Sequence, residues 1–401
     1  MRSDSLDRPL SVAAVRRVAG MLVVLGAVVL GAWLAAPTAV QAQSPTQPKP
    51  DEFIVERTFF RASIDNRSVR LEGLVVKLAD AADKLPIALI THGKSSNLGD
   101  MLESRAAHYT GVARDLARRG YLAVVVMRRG FGQSDGPMAA PVSCTTTTFA
   151  DRLGADADDL QATLNVVSKR PDADPDRAIA IGVSAGGAAV VAFGARNPKN
   201  LRGVISISGG LRMPDCPKED VLVNAYKTYG QTSRVPNLWI YAKNDSFFGP
   251  MLVDRLQSAF LDGGGDVKLV SFEKFGADGH TLFAAASGRL QWLMEMDAFL
   301  RFHNLPAPKR ERIAELMKQM KMQDRSRGFM ERYLAAPTYK AIAQTPDGKS
   351  YSTQYGAASI EAARKAVLEG CRERHKPAEP CRVVMENDTW LGDEATGSDR
   401  P

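Results

Sequence analysis

Near the start of the chain, apolar and polar positions alternate with a period of two. FIVERTFFRA (53–62) and VRLEGLVVKL (69–78) both show it, as strands with one covered and one wet face do. They predict an antiparallel pair. From residue 86 the pattern changes to short apolar runs bounded by turn residues: PIALITHG (86–93), YLAVVVMRRG (121–130), RAIAIGVS (177–184), GVISISGG (203–210), NLWIYAKND (237–245) and VKLVSFEKF (267–275). Runs apolar at nearly every position suit strands covered on both faces, as in a parallel sheet. Helical periodicity fills the gaps. HYTGVARDLARRG (108–120) puts Val112 and Leu116 on one side and stops at Gly120. DRLGADADDLQATLNVVSKR (151–170) carries a stripe of Leu160, Leu164 and Val167, with Asp158 and Asp159 expected on the wet side. MLVDRLQSAFLDGGG (251–265) and SGRLQWLMEMDAFLRFHNLP (287–306) are two more helices. Residues 51–305 therefore read as one α/β domain, a mostly parallel eight-stranded sheet flanked by helices.

After Pro306 the character shifts. RERIAELMKQMKMQ (310–323) is an amphipathic linker helix within 306–335. Its stripe of Ile313, Leu316, Met317 and Met320 is expected to pack onto the main domain. YKAIAQT, the turn PDG (346–348) and SYSTQYG predict a hairpin. SIEAARKAVLEGCRER (359–374) is a helix capped by Ser359, and CRVVMEND (381–388) is a strand. Together they make a small ββαβ module at 336–392, followed by a polar tail, 393–401, expected to be disordered.

Charge and cysteines add the compartment. The net charge of +7 over 401 residues is mild, and no basic run is interleaved with aromatics, so nucleic acid is not an expected partner. Arg8, Arg16 and Arg17 precede the apolar run MLVVLGAVVLGAWLAA (21–36), and Val40-Gln41-Ala42 offers small residues to a signal peptidase. Residues 1–42 are expected to be a signal peptide and 43–50 a Pro-rich linker, leaving a periplasmic or secreted protein with no stable membrane association. An uncleaved anchor is the alternative, since the run is near the lower limit for a span, about 17 residues. Arg16-Arg17 hints at twin-arginine export without the rest of that motif. An even number of cysteines suits disulfides in an oxidising compartment. Cys371 and Cys381 flank a short loop and are expected to pair, leaving Cys144 with Cys216. No Cys/His spacing suggests a metal, and no cofactor is expected.

The chemistry centres on IAIGVSAGG (179–187). Ser184 stands between Gly182 and Gly186, with an apolar strand before it and the helical run AAVVAFGAR (188–196) after it. A serine in a sharp strand-to-helix turn presents its hydroxyl above the sheet, with a helix N-terminus behind it. Such a nucleophile needs a base, and the base needs an orienting acid. Of the five histidines, His92 ends a strand, His108 and His303 fall in helices and His375 lies between two cysteines. His280, in FGADGHTLF, remains. In strand–elbow–helix sites the acid lies between nucleophile and histidine. Asp245 ends such a strand; Asp278 competes, but lies close to His280 in the chain and reads as a turn former. The backbone N–H of Ala185 and that of Lys94, with Ser95 second, are the candidates for an oxyanion hole. The side chain of His92 is expected to brace the Lys94 loop, and Arg128 and Arg129 to brace GFGQSDG (130–136), which lacks dinucleotide-site spacing. The segments 137–150 and 211–236 are expected to overhang the site, tied by Cys144–Cys216.

HGK, RRGFGQSDG, GVSAGG, the aspartate of KNDSF and the histidine of DGHTLF, in that order, resemble the α/β-hydrolase superfamily over about residues 51–305. The likeness is to the dienelactone hydrolase-like branch, with some to the X-prolyl dipeptidyl peptidase-like branch. It implies the α/β-hydrolase fold and a serine hydrolase acting on an ester, thioester, lactone or amide carbonyl. Dienelactone hydrolases carry a cysteine nucleophile, so Ser184 favours a general esterase of small-molecule esters. A prolyl-type peptidase, or a non-catalytic binding protein on the same scaffold, are the alternatives. The C-terminal module resembles a small domain of secreted bacterial proteins, from which no catalytic role follows.

Overall fold

The computed structural model describes residues 52–392, apart from 96, 138–143, 213–215 and 217. The expected signal peptide (1–42), linker (43–50) and tail (393–401) lie outside the described residues.

The main sheet has eight strands: β1 (Phe53–Ile64), β2 (Arg67–Leu78), β3 (Leu85–Thr91), β4 (Leu122–Val126), β5 (Ala173–Val183), β6 (Leu201–Ile207), β7 (Asn237–Ala242) and β8 (Val267–Phe272). Their order is β1-β2-β4-β3-β5-β6-β7-β8. β1 pairs antiparallel with β2 and β2 antiparallel with β4; every other neighbouring pair is parallel. The chain leaves β3 toward β4 and then crosses to β5 on the other side of β3. The order reverses there, and the crevice beyond the carboxyl ends of β3 and β5 is the switch point at which open α/β sheets bind ligands. Thr91 pairs with Gly182, so the loop after β3 and the turn after β5 leave the sheet side by side.

The flanking helices are α1 (Leu98–Glu103), α2 (Thr110–Ala117), α3 (Thr146–Val167), α4 (Ala185–Gly194), α5 (Glu219–Thr232), α6 (Pro250–Asp262) and α7 (Ala286–Phe302). All seven residues of β3 are buried, as are those of β4 and β7. Successive side chains feed opposite faces. Ile87 and Leu89 join Leu160, Val190, Tyr226 and Phe260 in a core shared by α3 to α6. Ala88 and Ile90 join Val112, Leu116, Trp292 and Leu300 beneath α2 and α7.

One sequence expectation fails in α3. Asp158 is half-buried, but Asp159 is buried, with Asp156 beside it. The arginines after β4 hold them. Arg129 gives Asp159 its backbone N–H at 2.7 Å and its Nε at 2.6 Å, and Arg128 and Arg152 reach Asp156 at 3.2 and 2.7 Å. Helical periodicity cannot register partners supplied from another element. Burial still pushes the Asp159 carboxyl up to about 6, against the opposing pull of Arg129.

The C-terminal module contains α8 (Arg310–Gln319), α9 (Arg327–Ala335), β9 (Ala341–Gln344), β10 (Tyr351–Gln354), α10 (Ile360–His375), β11 (Arg382–Glu386) and β12 (Thr389–Trp390). Its antiparallel sheet has the order β10-β9-β11-β12, one strand more than the expected ββαβ. A two-residue turn at Asn387-Asp388, with Asn387 at φ 49°, folds β12 back onto β11. The apolar stripe of α8 does not pack on the main domain. Ile313, Leu316, Met317 and Met320 cover one face of the small sheet, with Ile342, Val384 and Met385. α10 covers the other face through Ala363, Val367 and Cys371. The Cys371–Cys381 and Cys144–Cys216 disulfides are both present. The module docks through buried polar contacts. Arg119, on the turn after α2, binds Asp297 of α7 at 2.5 and 2.8 Å and the Ala335 carbonyl at 3.1 Å. Asp115 accepts the Thr338 N–H at 2.6 Å.

Candidate active site

Ser184 occupies the single residue between β5 and α4, at φ 54° and ψ −124°. A non-glycine residue at positive φ is strained, and it persists here because its surroundings over-determine it. Its N–H donates to the Ile207 carbonyl at 3.0 Å, and its own carbonyl accepts from Ala188 and Gly210, each at 3.1 Å. The flanking glycines answer to space. A Cβ on Gly182 would lie 2.1 Å from the Gly186 oxygen, and one on Gly186 would lie 2.3 Å from the His92 oxygen. The elbow is therefore pressed against the loop after β3, where Gly93 has room for a Cβ only at 3.2 Å from the Ser184 Cβ.

That loop is rigidly held. Arg128 N–H donates to His92 Nε2 at 3.0 Å, which places the ring proton on Nδ1, 2.7 Å from the Gly93 oxygen. Arg128 Nη1 donates to Thr91 Oγ1 and the His92 carbonyl, both at 2.7 Å. Burial, helped by the Arg128 charge, holds the His92 imidazole well below its ordinary value, so it stays neutral and braces the loop as expected. Burial likewise lowers the Lys94 ammonium, aided by Arg152. Among the described residues, the backbone N–H groups of Lys94 and Ala185 have no hydrogen-bond partner. The second is one of the orphan donors that begin any helix.

Asp245 follows β7 in a turn closed by its own N–H on the Ala242 carbonyl at 3.0 Å. Its side chain is fully buried, and Oδ1 accepts the N–H groups of Phe247 and Phe248 at 2.8 and 3.0 Å. His280 Nδ1 lies 3.0 Å from both carboxylate oxygens. His280 sits in a short 3-10 turn, Gly279–Leu282, capped by Asp278. Asp278 Oδ1 accepts the His280 N–H at 2.9 Å, and its Oδ2 takes the Ser246 hydroxyl at 2.7 Å. These bonds, the one from His280 N–H first, keep the Asp278 carboxyl below its ordinary value. Of the two candidate acids, then, Asp245 meets the imidazole and Asp278 ties the two loops together. Phe247 lies against the imidazole, with ring centroids 4.5 Å apart.

Ser184 and His280 line one cavity of about 430 Å³ with Gly93, Lys94 and Ser95. The Ser184 hydroxyl is not hydrogen-bonded to the His280 ring; such contacts commonly tighten only around substrate. The cavity wall comes from Met101 of α1, Tyr109 just before α2, Val112 of α2, Phe283 in the turn before α7, and Arg289 in the first turn of α7. The expected overhangs at 137–150 and 211–236 contribute no lining among the described residues. Cys144 and Cys216 join the core on the α3 to α5 face instead. Sequence reasoning missed Tyr109 and Arg289, which belong to no motif. It also missed α1, although Asn97, whose Oδ1 accepts the Gly99 N–H at 2.7 Å, is a readable N-cap.

The family model Hydrolase_4, serine aminopeptidase, S33, matches residues 100–251, a span that holds Ser184 and Asp245. The chain has the α/β-hydrolase fold, and over residues 100–251 it is similar to this family. The chain is 31% identical over 157 residues to the uncharacterized protein YfhR of Escherichia coli O157:H7, covering 39% of its own length and 48% of that relative. It thus spans about half of the curated relative it matches. Among solved structures, the Pyrococcus horikoshii acylaminoacyl peptidase superposes with a TM-score of 0.47 at 19% identity, covering 64% of this chain and 43% of that one. A dienelactone hydrolase-like promiscuous phosphotriesterase from metagenomic libraries gives 0.40 at 17% identity, covering 55% and 82%.

Proposed function

We propose that the protein is a serine hydrolase cleaving small-molecule carboxylic esters through an acyl-enzyme on Ser184. The observation that carries this reading is the His280 ring held at 3.0 Å by the buried Asp245 carboxylate, in the cavity that also contains the strained Ser184. Asp245 fixes the proton on Nδ1 and leaves Nε2 as the base. Ser184 Oγ attacks the ester carbonyl carbon while its proton passes to Nε2. The carbonyl oxygen becomes an oxyanion facing the free N–H groups of Ala185 and Lys94, at the N-terminus of α4. Collapse re-forms the carbonyl and breaks the bond to the alcohol oxygen, which takes the proton from Nε2. Water, deprotonated by the same nitrogen, then hydrolyses the acyl-serine and returns the proton to Oγ.

The motifs HGK, GVSAGG and DGHTLF, which resemble the dienelactone hydrolase-like branch, support such chemistry. The serine aminopeptidase family model favours a second reading, an amide substrate on the same residues. The two disulfides suit an oxidising compartment, consistent with export to the periplasm or beyond. A fluorophosphonate probe tests the nucleophile: the wild-type chain is expected to label and Ser184→Ala not to. Unchanged labelling of Ser184→Ala would overturn the assignment. Hydrolysis of p-nitrophenyl acetate beside a prolyl or aminoacyl anilide decides between ester and amide.

A further inference from the structure

We infer that Asp115 is a positioning residue through which the C-terminal module sets the wall of the substrate cavity, with Arg289 as the specificity-determining side chain. The inference rests on the serine-hydrolase reading above. Asp115, on α2, is 1% exposed, and its two oxygens face different parts of the molecule. Oδ1 accepts the Thr338 N–H of the module at 2.6 Å, and Oδ2 pairs with Arg289 Nη1 at 3.3 Å. Arg289 lines the cavity with Ser184 and His280.

The guanidinium has little freedom while this pair holds. It lies against α2, where a Cβ on Gly111 would stand 2.5 Å from Nη1. The module backs it: a Cβ on Gly356 would lie 3.6 Å from Nη2 and 3.1 Å from the Ala286 Cβ. Gly356 is bonded in turn to the Pro337 carbonyl, next to Thr338, at 3.3 Å. A guanidinium only 13% exposed needs its counter-charge, because a buried ion that loses its partner turns to water. With Asp115 neutral, Arg289 swings away from α2 and the cavity lengthens beside Phe283. The module thus acts on substrate choice through one carboxylate, without contributing a side chain to the described cavity lining.

The test compares wild type, Asp115→Asn, Arg289→Ala and the double variant on p-nitrophenyl acetate and hexanoate. Asp115→Asn keeps an acceptor for the Thr338 N–H, and circular dichroism and Tm check folding. The hexanoate-to-acetate ratio of kcat/KM is expected to rise about ten-fold in each single variant, in line with the discrimination that apolar pocket space supplies. The change should be carried by KM, and the double variant should rise no further than Arg289→Ala alone. A ratio unchanged in Asp115→Asn, with a lower Tm or a uniform loss of kcat, would make Asp115 merely structural. Additive effects in the double variant would disconnect it from Arg289. Both outcomes overturn the inference while fluorophosphonate labelling of the wild type persists. A wild-type chain that neither labels nor hydrolyses either ester removes the underlying reading as well.

Discussion

Replacing Asp245 by asparagine removes one charge and almost no volume, and the structure says what the new amide must do. Oδ1 of Asp245 already accepts two backbone N–H groups, from Phe247 and Phe248. An asparagine keeps those bonds only if its oxygen stays there, which turns its NH2 toward the imidazole. His280 Nδ1 must then become an acceptor, and the ring proton moves to Nε2, where it blocks receipt of the Ser184 proton. A wrong tautomer of this kind costs about 10⁴-fold in kcat, some 5.4 kcal/mol of transition-state stabilisation. The backbone bonds survive, so Tm should shift by no more than a few degrees, corresponding to about 1 kcal/mol in a domain of this size. Stopped-flow release of p-nitrophenol, normalised to folded protein by circular dichroism, reads both quantities. A kcat loss under ten-fold in a folded Asp245→Asn chain would refute the tautomer argument. A loss explained wholly by unfolding would make Asp245 a scaffold residue only.

Two further outcomes follow from groups outside the site. The Asp159 carboxyl, raised to about 6, binds more protons in the folded than in the unfolded chain as pH moves from about 4 to 6. Its contribution to stability is greatest below the unfolded value and is lost as pH rises through 6, a change of about 3 kcal/mol. Urea melts should therefore show Asp159→Asn gaining on wild type between pH 4 and pH 7; a pH-independent difference refutes the burial argument. Opening Cys144–Cys216, which spans 72 residues, should cost about 4 kcal/mol, and opening Cys371–Cys381, which spans 10, about 3 kcal/mol, if chain entropy dominates. Denaturant midpoints of the paired serine variants check the order, and a larger loss from the shorter loop contradicts it.

The sequence by itself determined the parts whose cause is local. Period-two alternation set β1 apart from the fully apolar β3 and β4, because side-chain direction along a strand depends only on neighbouring residues, whereas β2, expected to alternate as well, lies between β1 and β4 and is buried without a break from 71 to 76. The serine between two glycines was legible because an elbow has no room for a Cβ at Gly182 or Gly186. Asp245 could be named from its place at a strand end and His280 by elimination. Sequence position already favoured Asp245 over Asp278; the 3.0 Å contact itself came from how the loops after β7 and β8 meet. The tertiary structure alone decided what spans distant segments. Asp159 is buried because Arg129 arrives from the turn after β4. The methionine stripe of α8 serves the small sheet. Arg289 enters the cavity from the first turn of α7, and the module holds it there through Asp115. Periodicity reports which face of an element is dry. It carries no information about which charge from another element will be waiting on that face, and in this protein those charges shape the walls around Ser184.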